Sequence, residues 1–179
     1  ADGKAVHVVA TGDIADLSAY GIGVANNGGG SDGEEYTFPA ESVSAGDHIL
    51  VARNLEEIEN YLTPEGYNLF AFTLEATTSI SQNGDDAIEL YKNASVVETF
   101  GDINVDGSDE DWEYSDSWAY KSTAGAEWPN GWIYGGPDCT DDSVTTFDSN
   151  CVYPFVSSLS NNEFLQNAFK VYPNPVSGS

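Results

Sequence analysis

Apolar residues recur along the chain in short runs bounded by Gly, Pro, Asn, Asp or Ser: AVHVVA (5–10), LSAYGIGV (17–24), EYTF (35–38), HILVA (48–52), FAFTL (70–74), AIELY (87–91), VVETF (96–100) and SWAYK (117–121). Short runs between turn signals predict an all-β fold of sandwich type. In 87–100, Ile88 and Leu90 alternate with Glu89 and Tyr91, and 92–95 can reverse the chain, so a hairpin with one buried face is expected. One stretch has a helical period: in NLEEIENYL (54–62) Asn54 is placed to cap, Glu57 follows three residues later, and Leu55, Ile58 and Leu62 share a side. After Pro154 the pattern thins. The expected organisation is a domain over 1–156, a polar linker over 157–168, and a terminal segment over 169–179 whose Pro173 and Pro175 allow at most the start of a strand.

Charge narrows the function. Thirty Asp and Glu against five Lys and Arg give a net −25, which repels phosphate backbones and anionic lipid, so nucleic acid is not an expected partner. No apolar run approaches the ~20 residues of a membrane span. The amino-terminal residues lack the layout of a secretion signal, which fits a signal already removed. Cys139 and Cys151 have neither CxxC spacing nor neighbouring His, so a disulfide is expected, worth about 3 kcal/mol in the chain-entropy model and implying an oxidising compartment. Two buried free thiols are the alternative.

The segment 102–113, DINVDGSDEDWE, carries the most specific chemistry. Asp102, Asn104 and Asp106 stand two apart, Gly107 occupies the turn position, and Glu113 ends the twelve-residue span. Calcium takes six to eight hard oxygens, and these offsets supply them: three side chains, the Ser108 carbonyl, Glu110 through water, and Glu113 as a bidentate carboxylate. The preceding VVETF reads as a strand, so this is a calcium loop in a β-rich setting. The plainer alternative is a solvated acidic turn.

Seven aromatic residues crowd into 112–134: Trp112, Tyr114, Trp118, Tyr120, Trp128, Trp132 and Tyr134. Flat rings beside acidic groups can stack on a pyranose face, and Trp128 and Trp132, around the Pro129–Gly131 turn, are the expected exposed pair of a carbohydrate site. Ordinary packing is the alternative, with Trp112 and Tyr114, and Trp118 and Tyr120, each sharing a strand face. Catalysis is not expected. His7 and His48 lack neighbours that mark a general base, and neither a GxSxG elbow nor an HExxH helix occurs. NNGGGSDGEE (26–35) lacks the ending of a phosphate loop. Asp85 and Asp86 are placed to cap a turn, and Asp138, Asp141, Asp142 and Asp148 offer a second, weaker cation site.

DLSAYGI (16–22), YTFPAESVSAGDHILVA (36–52), NGDDAIELYK (83–92) and WEY (112–114), in this order, resemble bacterial lamin-tail-like domains over roughly 4–134. The resemblance implies an immunoglobulin-like β-sandwich without a catalytic centre, a module of secreted or surface proteins. His7 departs from the carboxylate that relatives often carry in the first strand, and calcium is no property of that family as a whole. FKVYPNPVSG (169–178) resembles the opening of a type IX secretion sorting domain, which implies the type IX secretion machinery as a partner and an extracellular or cell-surface location. The expectation is a non-catalytic, calcium-stabilised module for adhesion or attachment to a surface polysaccharide or another surface protein; the alternative is a carbohydrate-binding module.

Overall fold

The structure is a computed structural model that describes residues 3–155; the expected linker and sorting segment lie outside the described residues. Among the described residues, nine strands and one α-helix follow in order: β1 (Ala5–Val9), β2 (Tyr20–Ala25), β3 (Tyr36–Thr37), β4 (His48–Ala52), α1 (Leu55–Tyr67), β5 (Phe72–Glu75), β6 (Ala87–Lys92), β7 (Ser95–Phe100), β8 (Ala119–Lys121) and β9 (Trp132–Tyr134). They form a three-stranded sheet β1-β4-β5, a four-stranded sheet β3-β2-β6-β7 and a two-stranded ribbon β8-β9. The fold is therefore mostly β, as the short apolar runs predict. No helix among the described residues is long and apolar enough to cross a membrane.

Strand β4 explains the layering. Its five residues HILVA are apolar after His48, because both faces are covered. Ile49 and Val51 join Ile22 of β2, Leu17, Phe38, Val43 and Ile80 in a core shared with the four-stranded sheet, where Val6, Val8, Ile88 and Leu90 also pack. Leu50 and Ala52 point the other way, onto Ile58 and Leu62 of α1 and onto Phe70 and Phe155. The order is sheet, sheet, then a layer of helix and aromatic side chains.

Pairing is antiparallel except between β4 and β5, which run parallel with Ile49 opposite Phe72. A parallel neighbour needs a crossover, and α1 supplies it. Asn54 caps the helix, its side chain accepting from the Glu57 backbone N–H at 3.3 Å. The helical run is interrupted at Thr63 (φ 61°, ψ 165°) just before Pro64, where proline's ring excludes the α conformation of the preceding residue.

The hairpin β6-β7 turns through Asn93 and Ala94, both in the left-handed region (φ 49° and 57°) that a two-residue type I′ turn requires. Lys121 of β8 reaches Glu98 of β7 at 2.6 Å and ties the ribbon to the four-stranded sheet. Cys139 and Cys151 are joined in a disulfide, and Trp118 Nε1 donates to the Cys151 carbonyl at 2.9 Å, so the cross-linked segment is held beside the ribbon.

Candidate metal centre

The segment 102–113 leaves β7 as a series of turns. Asp102 Oδ1 accepts from Asn104 N–H (2.9 Å) and Asp106 Oδ1 from Ser108 N–H (3.0 Å), so both aspartates close Asx turns. Those bonds to Ser108 hold the Asp106 carboxyl below its ordinary range. Glu113 is engaged at both oxygens, Oε2 accepting from Asp109 N–H (2.9 Å) and Oε1 from Ser115 Oγ (2.8 Å). Asn104 and Ser108 are exposed, and Asp102 is half-buried. Asp102, Asp106 and Glu113 do not form a triplet of mutually close carboxylates; among the described residues the one such acidic group, with oxygens within 4.8 Å of one another, is Asp116, Asp138 and Asp141.

Gly107 has a physical role different from the expected one. Its φ is not in the left-handed region, so no special winding depends on it. A Cβ there would instead lie 2.6 Å from Trp112 Cη2 and 2.7 Å from the Asp85 carbonyl oxygen. Glycine is needed because the backbone presses against an indole and the start of β6.

Three backbone bonds fasten the loop to the sheet: Gly30 N–H to the Ile103 carbonyl (2.8 Å), Gly107 N–H to the Asp85 carbonyl (2.9 Å) and Tyr114 N–H to the Gly84 carbonyl (2.7 Å). Below it lie two buried aspartates. Asp86, fully buried, caps as expected: Oδ1 accepts from Asn27 N–H (2.8 Å) and Oδ2 from Asn83 N–H (2.9 Å), and burial nonetheless raises its pKa. Asp85, 9% exposed, accepts from Ser108 Oγ at Oδ2 (3.0 Å), while its buried Oδ1 has no hydrogen-bond partner. Glu89, 3% exposed, is better provided, taking hydrogen bonds at Oε2 from the Tyr91 hydroxyl (2.8 Å) and from Ser31 Oγ.

Trp128 and Trp132 are half-buried. Trp132 packs on Phe100 with ring centroids 4.6 Å apart, and Trp128 meets Trp112 edge-on at 6.0 Å. Phe100 also touches Trp112 and Tyr114, so a single aromatic cluster backs the candidate loop. The Trp132 indole N–H is buried without a partner, and that of Trp128 approaches the Tyr134 hydroxyl without closing a hydrogen bond. Neither Trp112 nor Tyr114 lies in a strand, and their shared contact is Phe100 rather than a common strand face.

On the opposite side of β4, His7 Nε2 and His48 Nδ1 lie 2.7 Å apart, and His7 Nδ1 is 2.8 Å from the Tyr153 hydroxyl. With His7 protonated at Nε2 alone, Tyr153 donates to Nδ1 and His7 donates to His48 Nδ1, so both nitrogens of His7 are satisfied. Burial, reinforced by the charge of His48, pulls His7 down to about 3, and burial also lowers His48 against the opposing pull of Asp47.

Of the expected carboxyl-terminal acidic cluster, Asp138 and Asp141 come together without Asp142 or Asp148 and are joined by Asp116, 22 residues before Asp138, all three exposed; slight desolvation and then the charges of Asp116, Asp138 and Asp142 raise Asp141. Sequence reasoning missed Asp116 and the burial of Asp85 under the loop. Spacing carries no signal for either, since both depend on how separate segments dock.

Compared with known proteins, the chain matches no protein family, no curated protein and no solved structure.

Proposed function

We propose that this chain is a non-catalytic module of lamin-tail-like, immunoglobulin-like β-sandwich type, displayed outside the cell, stabilised by calcium at 102–113, and serving attachment to a surface polysaccharide or another surface protein. The observation that carries the reading is the docking of the loop. Ile103, Gly107 and Tyr114 are bonded to Gly30, Asp85 and Gly84, so an ion held by Asp102, Asn104, Asp106, the Ser108 carbonyl and Glu113 would brace the loop against the segments that follow β2 and precede β6. Binding would exchange the Asx-turn and Glu113 hydrogen bonds for metal contacts.

The disulfide and the type IX-like ending support an oxidising, extracellular setting, where calcium modules bind at about 10⁻⁴ to 10⁻³ M. At a hundredfold excess over the dissociation constant the folded state gains about 2.7 kcal/mol. Thermal melts in calcium and in chelator test this: the midpoint rises with calcium, and coincident curves would remove the ion from the proposal. Attachment is tested by retention of the purified chain on immobilised surface polysaccharides and surface proteins, compared in calcium and in chelator.

A further inference from the structure

We infer that the carboxylate of Asp85, contributed from the bend just before β6 rather than from the loop, is a ligand of a divalent, oxygen-seeking cation shared with Asp106 and the Ser108 carbonyl. This rests on the calcium reading above and adds to it a ligand that no spacing rule for such loops contains.

Three carboxylates in and just before β6 are buried, and they are provided for unequally. Asp86 has an N–H on each oxygen, and Glu89 has two hydroxyls on one. Asp85 is nine-tenths buried and has one hydroxyl on Oδ2 and nothing on the enclosed Oδ1. A buried acceptor without a donor bears the full cost of leaving water, more so when it is charged.

The group that serves Asp85 is also shared. Ser108 donates its backbone N–H to Asp106 Oδ1 and its hydroxyl to Asp85 Oδ2, each at 3.0 Å, so one residue bridges the two carboxylates. Two acidic groups thus converge on Ser108, and a cation between them satisfies both at once. The donors are carboxylate and carbonyl oxygens with neither His nor Cys, which selects calcium, magnesium or manganese over zinc. Lys4, whose charge acts on Asp86, donates to the Ser81 carbonyl at 2.7 Å.

Calcium binding to the full chain is measured by calorimetry and by terbium luminescence, alongside melts in calcium and in chelator. Asp85→Asn is expected to weaken calcium binding by about tenfold or more while melting no lower than the parent in chelator, since it removes a buried unpaired charge. Equal affinity in the two proteins would overturn Asp85 as a ligand and leave the calcium reading standing. A parent protein that binds no ion would overturn both. Ser108→Ala, at an exposed position, gives a second reading that does not depend on Asp85→Asn folding. It strips Asp85 of its last donor only in the ion-free state, so the calcium-induced rise in midpoint widens; an unchanged rise counts against the inference.

Discussion

The Tyr153 hydroxyl stands 2.8 Å from His7 Nδ1, across 146 residues of sequence. First strand and last described segment are therefore joined through a histidine that cannot accept a second proton without losing the Tyr153 donor. Around the pair, Phe70 and Phe155 lie 4.9 and 5.0 Å from the His7 ring, and Tyr120 and His48 close the remaining sides. Water is kept from the imidazole, which is why its pKa falls.

That depression makes stability depend on pH with a definite sign. The unfolded chain takes a proton on His7 below about 6.5, whereas the folded chain refuses it until about 3. The contribution is whole above the unfolded value and is lost as pH falls toward the folded one, at about 1.4 kcal/mol per unit. Measured by denaturant unfolding, the stability advantage of the parent over His7→Gln should shrink by about 2 kcal/mol between pH 6.5 and 5. Comparison with the variant cancels the carboxylates common to both, and parallel pH profiles would show that His7 titrates normally.

Gly107→Ala should destabilise the protein by about 1–3 kcal/mol, the range for overpacking a site whose neighbours are backbone and indole. The new methyl would meet Trp112 and the Asp85 carbonyl below any normal contact distance. Equilibrium unfolding in chelator is the appropriate measurement, because it removes any ion from the comparison. A neutral result would mean that the loop can lift from β6, and with it the contact between Ser108 and Asp85.

Trp132→Ala separates packing from sugar recognition. Trp132 lies on Phe100, which in turn holds Trp112 and Tyr114, so truncation opens the cluster under the loop. A loss of about 3 kcal/mol in unfolding free energy is expected, at the low end for a large aromatic because the ring is only half-buried. Unchanged stability together with lost retention on polysaccharide would restore the carbohydrate-binding alternative.

The periodic parts of the fold were legible in the residues. HILVA and AIELYK became β4 and β6 at nearly the expected bounds, and the Asn54 cap formed as its spacing implied. Elements whose existence depends on distant partners were not. EYTF shortens to the two residues Tyr36–Thr37. LSAYGIGV opens with a 3-10 turn at Leu17–Ala19, where Asp16 accepts from Ser18 N–H, before the strand begins at Tyr20. Trp132–Tyr134, expected as the flank of a turn, pairs with Ala119–Lys121 instead. The parallel match of β4 with β5 carries no local signature, because HILVA and FAFTL would read the same in an antiparallel pair. At the candidate site, the string 102–113 displayed its own oxygens, but the carboxylate beneath it came from a segment some twenty residues earlier and could be found only by docking the two.

Strand β4 has no side turned toward water and no open edge, with β1 and β5 bonded along its flanks and a separate core on each face. Neither core can be repacked in isolation there, because adjacent residues of one five-residue strand serve opposite compartments. Damage at Ile49 or Val51 unsettles the contact between the sheets, and damage at Leu50 or Ala52 loosens the seat of the helix. The strand acts as a party wall, whose failure would breach the rooms on both sides.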